Sequence, residues 1–173
     1  MTDAKKTSLP DQLRQLLVGR VCVLGVGNRC RRDDGAGSLL AERLGRRTGA
    51  VVIDAGAVPE NHLEKMARSH PDTILIVDAV DFGGTAGDQR IFEPESIAFA
   101  GLSTHALTLR LAADFLKART QARLAFLAIQ PADIRWGAGL SKEVARAVGF
   151  VEESLVAILG RSANVRQASR VIP

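Results

Sequence analysis

The sequence predicts an α/β protein: a single-domain, three-layer α/β/α sandwich built on a twisted, mostly parallel sheet. Three observations predict it. Short, nearly continuous apolar runs rich in β-branched residues recur at 21–26 (VCVLGV), 51–54 (VVID), 73–78 (TILIVD) and 123–129 (RLAFLAI), as strands covered on both faces require. Stretches of helical periodicity lie between them, and this alternation is the signature of a parallel sheet flanked by helices. At 173 residues the chain is the length of one domain and long enough to bury a real core.

The elements follow in order. Residues 10–17 read as a short helix within an N-terminal extension, 1–20. The core domain spans 21–160. Its first strand, 21–26, runs into a helix whose Ala36, Leu40 and Leu44 share a face, with Gly45 as a stop signal. After strand 51–54, Leu63, Met66 and Ala67 make a short helix behind "PEN". Strand 73–78 is followed by a weaker apolar run, Gln89–Phe92, suited to a sheet edge. Leu107, Leu111 and Phe115 repeat at i, i+4, i+8 behind a Ser103-Thr104 start signal. Strand 123–129 leads to the clearest stripe, Val144, Val148, Val151, Leu155 and Leu159, with Ser141 as its N-cap. Residues 161–173 read as a loose tail.

Composition narrows the function classes. Net charge is +4 and the isoelectric point about 9.6, which raises nucleic-acid binding. Aromatics are only 4%, with no tyrosine, so stacking platforms are scarce. The arginines are scattered over a loop (Arg29, Arg31, Arg32), a helix end (Arg43, Arg46, Arg47) and the tail, which favours solvated surface over a binding stripe. Two cysteines, Cys22 and Cys30, make neither a disulfide framework nor a CxxC site. The N-terminal stretch lacks the apolar core of a signal peptide, and no run approaches a membrane span, which predicts a cytoplasmic protein.

The turn after the first strand, "GVGNRCRRDDGAG", looks at first like a dinucleotide fingerprint, but Cys30 stands where a third glycine belongs. No GxxxxGKS/T exists, and carboxylates at a helix N-terminus would repel a phosphate that the helix dipole attracts. Asp33 and Asp34 therefore point to a cation. One of the pair is explained as a helix N-cap; a helix needs only one. The second strand ends on Asp54, where an Asp before Ala-Gly can organise a turn. The third ends on Asp78, directly after ILIV, where an ionised carboxylate requires a partner or a metal. Asp81 reads as a turn residue.

In open parallel sheets, ligands bind beyond the carboxyl ends of the strands where strand order reverses. With an order beginning 2-1-3, Asp34 and Asp78 face one crevice. Of three histidines, His70 sits at a helix end, His62 one turn into the helix after "PEN" with either face open to it, and His105 at the start of an apolar helix in "LSTHALTL". Two carboxylates and one imidazole suit a borderline divalent ion such as zinc or nickel. Neither HExxH nor a GxSxG elbow is present, so zinc-peptidase and serine-hydrolase chemistry lack their motifs.

The stretch "GVGNRCRRDDGAG" resembles the G-x-G-N-x-x-x-x-D-D/E-G/A-x-G signature of the nickel–iron hydrogenase maturation proteases. "VVIDAGAVPEN", "LIVDAVD", "STH" and "AIQP" follow in the family's order, so the resemblance runs from Val21 to Leu159. It is closest to the branch that matures the large subunit of hydrogenase 3. The resemblance implies a single α/β/α domain and an endopeptidase, usually classed as aspartic. The enzyme removes a C-terminal extension from the hydrogenase large-subunit precursor once nickel is inserted. It implies no cofactor of the enzyme's own. By motif position, Asp34, Asp78 and His105 contact the nickel held in the substrate, and Asp54 matches a further acidic position. A monomer with no nucleic-acid or membrane partner is the expectation. Arg31 and Arg32, beside the aspartate pair, and Ala55 and Ala86, at positions often glycine and proline, depart from relatives without removing a ligand.

The resemblance leaves two routes open. Substrate nickel can polarise a carbonyl or acidify a water, or two carboxylates can share a proton in aspartic-protease fashion. From another class, a non-enzymatic nickel chaperone or sensor would use the same Asp/Asp/His set. It would bind metal tightly by itself and cleave nothing.

Overall fold

The computed structural model describes residues 7–97 and 106–168. His105, the start signal Ser103-Thr104 and the last residues of the chain lie outside this range.

Five strands form one sheet: β1 (Val21–Val26), β2 (Val51–Gly56), β3 (Thr73–Ala79), β4 (Gln89–Phe92) and β5 (Arg123–Ile129). Their order is β2-β1-β3-β5-β4. The first four in that row are parallel, and β4 runs antiparallel to β5 at the edge. The order does begin 2-1-3, and the chain reverses direction across the sheet at β1 and β3. The weak apolar run at 89–92 takes the edge position for which its half-exposed residues suit it.

Side chains alternate across the sheet and build two cores. On one face Val21, Val23, Leu75, Val77, Ala125 and Leu127 meet α1 (Leu9–Leu16), α2 (Ala36–Arg47) and α6 (Lys142–Ala168). On the other, Cys22, Leu24, Ile74, Ile76, Leu124 and Phe126 meet α3 (Leu63–Arg68) and α5 (Ala106–Arg119). A short α4 (Pro94–Ile97) follows β4. These are the three layers the sequence predicts.

Three expectations change. The N-terminal helix is part of the core: Leu13, Leu16 and Leu17 are buried beside the α6 stripe. Ser8 caps α1 through Asp11, and Pro10 sits in its first turn, where a missing N–H costs nothing. Second, α6 continues to Ala168, so 161–168 are helical and not a loose tail. Third, the face of α5 is rotated. Leu107 and Leu111 are 73% and 60% exposed and Phe115 36%, while Leu109, Ala112, Ala113 and Leu116 are buried. The alanines let the helix lie close on the sheet, and the larger, perfectly periodic set is left outside.

One close approach fixes where the first loop sits. Gly37, in the first turn of α2, lies between the ends of β1 and β3. A Cβ there would fall 2.2 Å from the Val77 carbonyl oxygen and 2.4 Å from that of Val26. Both are backbone atoms that cannot swing aside, so only glycine lets α2 begin directly above these strand ends.

Cys22 is buried on β1 and Cys30 exposed in the first loop. Burial pushes the Cys22 thiol up to about 11. The unfolded chain ionises this thiol near its ordinary value, so its contribution to stability is complete below that pH. The contribution is lost as pH rises toward 11. In native protein near neutral pH one thiol should react with an aromatic disulfide reagent, and in urea two. Leu13→Ala should cost about 2–5 kcal/mol in urea unfolding; an unchanged midpoint would show α1 to be an appendage.

Candidate active site

The site region lies beyond the carboxyl ends of β1 and β3. Between β1 and α2 the chain forms a loop closed by a 3₁₀ turn, Arg32–Gly35, that packs on β3. Both aspartates of the pair sit in this turn and are buried, Asp33 at 0% and Asp34 at 1% exposure.

They do different things. Asp33 is not the N-cap of α2: Gly35 holds that position and no side chain caps it. The Asp33 carboxylate turns toward the segment after β5 instead. Its Oδ2 accepts the backbone N–H groups of Ala132 (2.9 Å) and Asp133 (3.0 Å), and its Oδ1 accepts that of Ser141 (2.6 Å). Its own N–H donates to the Asp133 carbonyl at 3.1 Å. Ser141 meanwhile caps α6, accepting the Val144 N–H on its hydroxyl. The 3₁₀ turn comes one turn before the helix proper, so the carboxylate that sequence places at a cap reaches across the fold.

Asp34 stays within the first loop, where its Oδ2 accepts the Asn28 N–H at 3.0 Å. Asn28 in turn accepts the Cys30 N–H on its side-chain oxygen at 2.9 Å. The loop returns so tightly that a Cβ on Gly27, at φ +142°, would fall 1.9 Å from the Asp34 carbonyl oxygen. Asn28 and Gly27 thus hold Asp34 beside the end of β1.

Asp78 is the penultimate residue of β3, 2% exposed, with its Oδ1 accepting the N–H of Ala79. Its neighbours Val77 and Ala79 belong to the α2/α6 core and Ile76 to the α3/α5 core. Alternation therefore turns Asp78 to the α3/α5 face. Helix α5 covers that face and begins at Ala106, immediately after His105. The chain leaves α5 for β5 at the opposite, amino edge, where the Arg123 N–H donates to the Asp72 carbonyl. Ala106 therefore opens the helix toward the carboxyl edge that carries Asp78.

Asp54 is separate from this group. Ile53 and Ala55 face the α3/α5 core, so Asp54 turns to the other side of the sheet and is exposed. Its Oδ1 accepts the Gly56 N–H in the turn that sequence suggests, and its Oδ2 binds Arg29 at 2.7 Å. Arg29 also binds Glu42 and donates to the hydroxyl and carbonyl of Ser38 (2.7 and 2.9 Å), pinning the first loop to α2 and β2. The Arg29 guanidinium holds the Glu42 carboxyl below its ordinary range.

Gln130 is a residue the sequence reading passed over, though it stands in "AIQP" directly after β5. Its buried amide oxygen accepts the N–H groups of Phe82 (2.9 Å) and Gly84 (3.0 Å), and its NH₂ donates to Asp81 (3.0 Å). It ties the loop after β3 to the loop after β5. Asp81 is a turn residue, as expected, and Gln130 and the Gly83 N–H hold its carboxyl below the ordinary range. Among the described residues, no group of three or more His, Cys, Asp or Glu side chains is placed to hold a metal ion. No helix among them is long and apolar enough to cross a membrane.

Asp33→Asn leaves one oxygen for three N–H donors and sets an NH₂ against one of them. It should cost about 1–3 kcal/mol and speed amide exchange across 130–141 more than in β1 or β3. Uniform exchange across the chain would show that Asp33 does not hold that segment.

Comparison with known proteins places the chain in a family. A family model described as hydrogenase maturation protease, of the HycI type, matches residues 36–158. The hydrogenase 3 maturation protease of Escherichia coli is 37% identical over 136 residues, covering 77% of this chain and 86% of that protein. Among solved structures, a nickel–iron hydrogenase maturation protease HycI from Thermococcus kodakarensis superposes with a TM-score of 0.79 at 30% identity. The match covers 86% of this chain and 98% of the other. The E. coli hydrogenase-maturating endopeptidase HybD gives 0.70 at 25% identity, over 83% and 94%. By its fold and these relatives, the chain belongs to the hydrogenase maturation protease family and is an endopeptidase of that type.

Proposed function

We propose that this endopeptidase removes the C-terminal extension of a nickel–iron hydrogenase large-subunit precursor after nickel insertion, and that it reads the inserted nickel through Asp34, Asp78 and His105. One observation carries the assignment of the site. Two nearly fully buried carboxylates stand at the carboxyl edge of adjacent parallel strands, Asp34 in a turn packed on β3 and Asp78 at the end of β3 itself. Parallel α/β sheets bind ligands at such a position. His105 lies outside the described residues; the helix it precedes opens toward that edge on the face Asp78 takes. Asp54 is left a supporting role, holding Arg29 and the base of the first loop.

Oxygen and imidazole donors suit nickel as a borderline ion. Here the ion belongs to the substrate, so precursor lacking nickel presents no ligand to these side chains. Nickel gripped in this way lowers the barrier by polarising the scissile carbonyl or a water. Dependence on the loaded precursor then acts as a check on the order of assembly.

The test is cleavage of the cognate large-subunit precursor with and without nickel, read by mass spectrometry. A shorter product only from the loaded precursor is expected. No cleavage of either, with nickel transferred to this chain, would establish a nickel chaperone instead. Asp78→Asn separates the two chemical routes. Loss of binding to loaded precursor is the expected result; intact binding with turnover abolished would favour a proton shared between carboxylates.

A further inference from the structure

The segment after β5 carries more order than a connection needs. Arg31 and Gly137 form an isolated β-bridge. The Arg32 N–H donates to the Gly137 carbonyl at 3.0 Å, and the Gly137 N–H to that of Cys30 at 2.9 Å. Arg32 is held at φ +47°, in the left-handed region that non-glycine residues seldom occupy. The Arg31 Nε donates to the Ile134 carbonyl at 3.1 Å. Together with the Asp33 carboxylate, these bonds weld residues 132–141 to the first loop.

What the weld holds out is Trp136, 74% exposed and the only tryptophan in the chain. A large aromatic side chain in water on a fixed backbone is a ready binding anchor. It has few rotamers to lose, and tryptophan is enriched among residues that dominate interface energy. Further along the same stretch, Gly139 and Leu140 wall a groove of about 200 Å³ with Leu39 and Gly35, and Arg29 and Arg32 flank it. Leu140 is four positions beyond Trp136, at most about 14 Å of chain, so the anchor and the groove wall belong to one short welded stretch. The groove includes Gly35, the residue after Asp34.

Charge gives the partner's character. Arg135 precedes Trp136 in the chain, and Arg31 and Arg32 are bonded to the same segment, Arg31 through its side chain to the Ile134 carbonyl and Arg32 through its backbone to Gly137. Among the described residues, the ion pairs these three make all go to one carboxylate, Asp133, at 3.3 Å from Arg32 and 2.8 Å from Arg135. The Asp33 and Asp34 carboxylates are buried beneath, so at the solvent face these arginines meet, among the described residues, one carboxylate only, Asp133.

We propose that the Trp136 loop and the adjoining arginine-flanked groove are the surface on which the large-subunit precursor docks, through a segment that offers an apolar pocket or side chain flanked by carboxylates. This rests on the precursor being the substrate, as inferred above. Because Asp33 fixes this surface to the turn that carries Asp34, a precursor seated on it is placed in register with the buried carboxylates.

A single tryptophan makes the surface directly observable. The enzyme is labelled at Trp136 with 5-hydroxytryptophan, which is excited apart from the precursor's own tryptophans, and quenched with acrylamide. Free enzyme should be strongly quenched, and nickel-loaded precursor should protect the label several-fold. Trp136→Ala, a change at an exposed site, should leave the melting temperature unchanged, raise KM for the precursor about 10- to 100-fold and leave kcat nearly unaltered. Arg135→Gln should raise KM at low ionic strength and much less at high. Cleavage that proceeds with the label unprotected and KM unchanged in Trp136→Ala overturns the docking surface while leaving the protease intact. Protection that grows with enzyme concentration in the absence of precursor also overturns it, in favour of a second copy of this chain. If the wild-type enzyme cleaves no precursor, the functional reading falls and this surface with it.

Discussion

The carboxylate of Asp33 is the contact on which the site depends. It is wholly buried, and a buried anion is tolerable only where hydrogen bonds replace the water it has lost. Three backbone N–H groups do so, and all three come from the segment that joins β5 to α6. The need to satisfy one charge therefore ties the first crossover connection of the fold to the segment after its last strand. Everything else at the carboxyl edge inherits that constraint: the 3₁₀ turn cannot shift without stranding the anion, and Asp34 is the next residue in that turn.

The four acidic residues that sequence brings forward separate by what surrounds them. Asp33 is consumed by the backbone. Asp54 is exposed and met by the Arg29 guanidinium, on the α2 side of the sheet. Asp34 and Asp78 are buried at the ends of neighbouring structural units, each accepting a backbone N–H. The glycines of the first loop serve this arrangement and not a phosphate. Gly37 lets α2 start against the carbonyls of Val26 and Val77, and Gly27 lets the loop return onto the Asp34 backbone. A phosphate loop would aim N–H groups outward at an anion; this one spends the Asn28 N–H on its own carboxylate.

Strands were readable because a parallel strand buried on both faces leaves a nearly continuous apolar run, as ILIV does in the wholly buried β3. The strand order beginning 2-1-3 was a premise and not a reading of the residues; the structure has that order, which makes β1 and β3 neighbours. Helix faces were harder. In α5 the periodic signal of Leu107, Leu111 and Phe115 is real, but it marks the outer face, because Ala112 and Ala113 pack more closely than large residues can. Hydrophobic size and burial part company where close approach decides the packing. Nor can sequence distance reveal that Asp33 binds residues a hundred positions away, or that the Gln130 amide holds the loop after β3. A helix cap and a surface glutamine are what such residues most often are. The position of His105 rests on its motif, because it lies outside the described residues.

The chain's basicity finds its explanation in the same loops. Much of the arginine content is matched locally: Arg29 by Glu42 and Asp54, Arg43 by Glu152, Arg46 by Glu42, Arg47 by Glu152 and Glu153, Arg119 by Glu64. Such exposed pairs add little to stability individually, but they neutralise the surface where they lie. Around Trp136 the matching thins: Arg32 and Arg135 share one carboxylate, Asp133, which the Arg135 guanidinium holds well below its ordinary range. Single-stranded nucleic acid is held along a basic groove with aromatic platforms. Here the arginines lie on one welded edge, beside the turn that holds the buried aspartates, where the proposed docking seats an acidic segment.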